Sequence, residues 1–245
     1  MTGFRGDDLA FPQGRAHFGM NPIEVAPMHP QSIAILGTGV VGIALAKGFA
    51  ARGDRIVFGT RAPDGDKTRA ALEAVPGATV ASHVEAARGA DRAVIALPWN
   101  AVAPTLTPDL ANALAGKTVI DATNPLDFVQ GRPALAIGHR DSAGETVQRL
   151  LPDAHVVKAF NIITAGHMVQ PKFPDGEPDM FIAGNHPQAK AEVAAVLRDF
   201  GWRSAIDLGG IEQSRLLEPL AMLWITYGFD HNHWTHGFSL LGQAP

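Results

Sequence analysis

The stretch SIAILGTGVVGIALAKGFAARGDRIVFGTRAPDGDK, residues 32–67, decides the fold. It opens on an apolar run short enough for one buried strand. It then passes through a glycine-rich turn into a segment whose Val41, Leu45 and Phe49 recur at helical spacing up to Gly53, and a second apolar run, RIVFG, follows. Gly37, Gly39 and Gly42 stand as G-x-G-x-x-G between strand and helix, with Thr38, Val40 and Val41 filling the loop. Each glycine has a physical task there: the first permits the tight turn, the second lets backbone approach a pyrophosphate, and the third lets helix and strand pack closely. The free N–H groups and positive dipole end of the helix then face the phosphates. Taken alone, a glycine-rich turn can be purely structural. Its place between a strand and a helix makes it a dinucleotide loop.

The end of the second strand selects the dinucleotide. An NAD site usually carries Asp or Glu here for the ribose hydroxyls, a charge that would repel a 2'-phosphate. This chain reads VFGTR instead. Thr60 offers a hydroxyl and Arg61 a charge-assisted fork, so the pair points to NADP; Lys67 is a candidate for the same phosphate pocket or a bystander in the first turn of a surface helix. Asp64 and Asp66 fall in a Pro- and Gly-containing loop and read as solvated turn residues.

Beyond residue 67 short apolar runs keep alternating with amphipathic ones. SHVEAARG opens with Ser82 and Glu85 at capping-box spacing. DRAVIALP, KTVIDATNP, HVVKAF, DMFIAG and RSAIDLG read as further buried strands, and PQAKAEVAAVLRDFG as the helix between the last two. Alternating strands and helices imply right-handed crossovers, so the expected class is α/β, a doubly wound parallel sheet of Rossmann type over residues 31–210. Residues 211–245 form a mainly helical C-terminal appendage, with Glu212 to Phe229 mostly apolar but too interrupted for a membrane span. More apolar surface than a terminal helix needs points to a homodimer. Residues 1–30, rich in proline and without a signal-peptide run, are expected to be a flexible arm, with Met28 as an alternative start.

Composition narrows the partners. The 245-residue chain carries a net charge of -4 with scattered Lys and Arg, so a nucleic acid is not an expected ligand. It has no cysteine, which removes disulfides, thiolate metal sites and a cysteine nucleophile. A cytoplasmic protein without a membrane segment is expected. His231, His233 and His236 are closely spaced, yet only Asp230 could add to them, and no metal site is assigned.

The motifs ILGTGVVGIALAKGFAARG, VFGTR, IALPW, VVKAFN and SRLLEPLAML together resemble the NADPH-dependent reductases of the deazaflavin coenzyme F420. They are also similar to the cytosolic reductase domain of the six-transmembrane metalloreductases. The likeness spans roughly Ser32 to Phe229 and rests on the ordered set. It implies that the glycine loop holds pyrophosphate, that Thr60 and Arg61 hold the 2'-phosphate, and that Leu97, Pro98 and Trp99 line the nucleotide. It further implies that Ala159, Phe160 and Asn161 approach the nicotinamide. The strand pattern independently puts these segments, with Asn124 and Pro125, at the carboxyl ends of parallel strands, where open α/β sheets bind ligands.

Such reductases pass hydride between two flat rings and need stacking more than a proton relay. The implied reaction joins NADP to a small-molecule redox acceptor, a deazaflavin or a flavin such as FMN or FAD. A reductase of a small carbonyl or imine is the alternative enzyme; it would need a proton donor, and Asp121, His155, Lys158 and Tyr227 are the candidates. A non-catalytic NADP-sensing module is the alternative from another class.

Overall fold

The computed structural model describes residues 30–242. The expected arm over residues 1–30, with Met28, lies almost wholly outside them. The chain runs β1 (Ser32–Leu36), α1 (Val40–Ala51), β2 (Arg55–Gly59), α2 (Asp66–Ala74), β3 (Thr79–Ala81), α3 (His83–Arg88) and β4 (Arg92–Ile95). It continues with α4 (Trp99–Thr105), α5 (Pro108–Leu114), β5 (Thr118–Asp121), the strands β6 (Leu126–Val129) and β7 (Arg132–Leu135), and α6 (Ala143–Leu150). The last part is β8 (His155–Lys158), β9 (Met180–Gly184), α7 (Pro187–Asp199), β10 (Ala205–Asp207) and α8 (Ser214–His231).

Eight strands form one sheet in the order β10-β9-β8-β5-β4-β1-β2-β3, and β6 and β7 make a separate hairpin. The order runs outward from β1 in two directions, the doubly wound arrangement, so a crevice opens between the carboxyl ends of β1 and β4. Side-chain alternation along β1 builds both layers. Ile33 and Ile35 face a core completed by Leu45 and Phe49 of α1 and Val193 and Leu197 of α7. Ala34 and Leu36 face the opposite core, with Ala86, Val102, Leu110 and Val147 from α3, α4, α5 and α6. Ser82 caps α3 in the expected box, its Oγ accepting from Glu85 N while Glu85 reaches back to the Ser82 amide.

The sheet is not parallel throughout. β9 pairs antiparallel with β8, and β10 is parallel to β9. Residues 159–179 hold only a short 3-10 turn, Ala165–His167, and no helix that would carry the chain back across the sheet. Strand β9 therefore starts at the rim where β8 ends. At the C-terminus the helix spans Ser214–His231, and residues 232–242 fold back without helix: Trp224 Nε1 donates to His236 O at 2.9 Å, and Leu240 N to Asp179 at 2.7 Å. No helix among the described residues is long and apolar enough to cross a membrane.

Candidate functional site

A cavity of about 540 Å³ occupies the crevice between β1 and β4. Gly37, Thr38 and Gly39 of the glycine loop, Thr60 and Arg61 after β2, Lys67 on α2, and Leu97 and Pro98 after β4 all line it. The three loop glycines divide by cause. Gly37 has φ +124°, and a β-carbon on it would fall 2.3 Å from Ala96 O. A β-carbon on Gly42 would fall 2.3 Å from Gly37 O and 3.2 Å from Ile35, so this glycine lets α1 close onto β1. Gly39 has neither constraint. Its φ is -82°, and a β-carbon there would meet no protein atom within 4 Å. The chain itself gives no reason for glycine at position 39, while a backbone-hugging ligand does.

The carboxyl end of β2 is closed to an acidic side chain by packing. A β-carbon on Gly59 would lie 2.8 Å from Leu36 Cδ2 and 3.3 Å from His83 Cδ2. Thr60 Oγ1 accepts from Ala62 N at 3.1 Å and fixes the turn. Arg61 and Lys67 are exposed, and among the described residues neither makes an ion pair or hydrogen bond. Asp66, whose α2 start also faces the cavity, is held by Arg69. His83 also lines the cavity and was not anticipated, since it precedes an ordinary-looking helix with no motif. Burial, and then the charge of Arg61, hold its imidazole below the usual histidine range. Ala62, Gly65, Thr68, Ala101 and Thr105 complete the lining.

The other expected residues lie along the same rim but outside this cavity. Val40 is exposed and heads a smaller groove of about 360 Å³ with Ile43, Ala44, Lys47, Ala165, Gly166 and Val169. Val41 packs against the core beneath α1. Trp99 begins α4 and packs into the core behind β4. Ala159 is fully buried, which leaves only its backbone to reach a ligand. Asn124 and Asn161 clasp each other: Asn124 Nδ2 donates to Asn161 O at 2.8 Å, and Asn161 Nδ2 donates to Asn124 Oδ1 at 3.1 Å and to Leu217 O at 3.1 Å. The clasp ties the ends of β5 and β8 to α8. Between them Phe160 sits at φ +64°, a left-handed backbone unusual for an aromatic residue.

Of the four candidate proton donors two are buried in a charge network and two pack against histidines, and none lines the cavity. Lys158 is fully buried, with Nζ 2.8 Å from Asp121 Oδ2 and 3.1 Å from Glu218 Oε1. Asp121 is likewise buried, and its other oxygen accepts from Thr123 N and Oγ1. His155 begins β8, at the end of the strand away from the rim, and is stacked on His186 at 3.8 Å. Tyr227 lies on α8 against His231 and His236, ring centres 4.5 and 4.9 Å away. His236 in turn stacks on Trp224 at 4.5 Å, so the C-terminal histidines join the tail to α8 through aromatic packing. No cluster of metal-binding side chains occurs among the described residues.

Comparison with known proteins agrees with this geometry. Residues 32–125 match the family described as NADP oxidoreductase, coenzyme F420-dependent. The F420-dependent NADP reductase of Methanothermobacter marburgensis is 34% identical over 209 residues, covering 79% of this chain and 90% of that protein. Metalloreductase STEAP3 of Rattus norvegicus is 30% identical over 80% of this chain but only 38% of its own length. A crystal structure from Arthrobacter sp. FB24, provisionally assigned as an F420-dependent NADP reductase, superposes with TM-score 0.81 at 35% identity, over 86% of this chain and all of that one. Imine reductases such as that of Streptomyces aurantiacus, 17% identical at TM-score 0.59, share the fold.

Proposed function

This chain belongs to the family of F420-dependent NADP reductases and is an NADP-dependent oxidoreductase, and on that premise we propose that it moves hydride directly between NADP(H) and a deazaflavin. The observation that carries the reading is the contrast along one rim. Cations without partners and an unobstructed glycine meet at the crevice, while Asp121 and Lys158 are buried and paired, His155 stacks on His186 and Tyr227 packs on the histidines of the tail, none of them lining the cavity. The residues fit NADP: Gly39 leaves room for a pyrophosphate, and Arg61, Lys67 and Thr60 answer a 2'-phosphate. Bound there, the nucleotide supplies a hydride at its nicotinamide.

The chain's own part is positioning. Leu97 and Pro98 wall the crevice, and the Asn124–Asn161 clasp with the strained Phe160 fixes the backbone at the ends of β5 and β8. The groove headed by Val40 has apolar walls and one cation, Lys47, and we place the acceptor ring against it. Stacking in such a slot lowers the barrier by holding two reactants in register rather than by moving a proton. A deazaflavin answers this better than FMN or FAD, because the named relatives act on F420.

NADPH deuterated at the transferring position tests the reading. Label should appear on the acceptor carbon of a deazaflavin in a single turnover. Recovery of the label in solvent would replace the deazaflavin with a flavin, whose reduced nitrogen exchanges its hydrogen, and turnover of a small imine or carbonyl with no turnover of the deazaflavin would replace the proposal with the alternative reductase.

A further inference from the structure

The end of β2 holds one polar group that the glycine-loop and Thr-Arg motifs do not account for. The His83 ring stands across Gly59, with Cδ2 3.3 Å from the position of a Gly59 β-carbon, and it faces the cavity that Arg61 and Lys67 also line. Among the described residues the ring has no hydrogen-bond partner. The hydrogen bonds that start α3 are made by Ser82 and Glu85, so His83 is not needed as a cap. We propose that His83 is a specificity-determining contact to the 2'-phosphate, and that it takes up a proton when NADP binds and not when NAD does. The inference rests on the NADP reading of this cavity.

The charges around the ring give its direction. From the β2 side comes Arg61, and from α2 come Lys67 and Asp66, the latter neutralised by Arg69. On its own helix Glu85 is turned back to Ser82. Partial burial, and then the nearby Arg61 charge, push the imidazole below its ordinary range and so disfavour its protonated form. A phosphate dianion reverses that field, and an imidazolium donates to it a charge-assisted hydrogen bond. NAD brings a hydroxyl in the same place and no charge, so nothing draws the proton on.

Isothermal titration of the full chain with NADP⁺ and with NAD⁺ tests this at pH 7.5, in two buffers of different ionisation enthalpy. At that pH the free 2'-phosphate is already a dianion with almost no proton left to lose, and whatever it did lose on binding would count as release, the opposite sign. The expected result is net proton uptake with NADP⁺ and none with NAD⁺. His83→Gln should abolish the uptake and weaken NADP⁺ about tenfold at pH 6.5, with a smaller loss at pH 8.5 and unchanged NAD⁺. His83→Asn serves as the second variant, with circular dichroism as the check on folding. Uptake that persists in both variants overturns the proposal. Arg61→Ala separates the two levels: it should erase the preference for NADP⁺, and if the preference survives, the phosphate does not lie at this end of β2 and the nucleotide reading falls first.

Discussion

The Lys158 ammonium lies 2.8 Å from the Asp121 carboxylate, and both side chains are fully buried. Burial by itself pulls such a lysine's pKa down, but Asp121 and Glu218 outweigh it and hold the ammonium above the ordinary lysine value. Its third contact is Thr123 O at 2.8 Å, while Glu218 accepts the amides of Ala143 and Gly144 at 2.9 and 3.0 Å. The network therefore joins β5, β8, the start of α6 and α8 at the rim where ligand is expected. It reads as a structural bolt, and not as an acid in waiting.

Lys158→Met tests that distinction. It leaves two buried carboxylates without their cation, and breaking a buried ion pair from one side costs about 3–5 kcal/mol. Urea unfolding should show a loss of that order, with nucleotide affinity and kcat of the folded fraction within a few-fold of the parent. A fall of several decades in kcat with stability intact would make Lys158 the proton donor of an imine or carbonyl reductase.

The glycine loop offers a paired comparison. Gly39→Val should fold normally by circular dichroism and lose NADP binding, because its side chain meets only the space of the cleft. Gly42→Val should lower the thermal midpoint by several degrees before any question of binding arises, since its β-carbon collides with Gly37 O. Retained binding in the position-39 variant would make the whole loop structural.

How much of this was legible in the sequence follows from how local each signal is. The strand, glycine turn and helix of residues 32–53 could be read because turn chemistry and periodicity act within a few residues. The reversal of β9 could not, because the strand itself reads the same in either direction and only the missing helix in residues 159–179 decides it. The hairpin of β6 and β7 was overlooked because Pro133 interrupts its pattern and its turn is Gln130-Gly131, both at positive φ, rather than a common Asn-Gly. Thr60, Arg61, Lys67, Leu97 and Pro98 reached the cavity as expected. His83 did not announce itself because only the pairing of β2 with β3 brings the start of α3 over Gly59.

Cofactor choice cannot be reversed here by restoring the missing acid. Gly59→Asp puts a β-carbon 2.8 Å from Leu36 Cδ2 and pushes into His83, so the variant should lose about 1–3 kcal/mol of stability to overpacking. NADPH binding should fall with no gain for NADH. A clean switch to NADH, measured as the ratio of kcat/KM for the two, would show that the pocket wall yields and that packing is not what keeps an acid out.

The outer face of α8 carries Leu216, Leu223 and Tyr227 at helical spacing, and Leu216 and Leu223 are each 61% exposed. Beside it the hairpin adds Phe128 and Val129, also exposed, and the Arg132–Asp230 pair at 2.6 Å fastens hairpin to helix. We propose that this surface is the two-fold contact of a homodimer. In a symmetric contact each leucine is buried twice, so replacing Leu223 removes about 3–6 kcal/mol of gross apolar burial, enough to move a micromolar dimer toward millimolar. Leu223→Glu should therefore run as a monomer in light scattering at ten micromolar while keeping its circular dichroism, whereas Leu241→Glu, exposed on the tail beside Phe173 and Arg203, should stay dimeric. A parent chain that is itself monomeric at that concentration, or a Leu223→Glu protein that remains a dimer, would remove α8 as the interface.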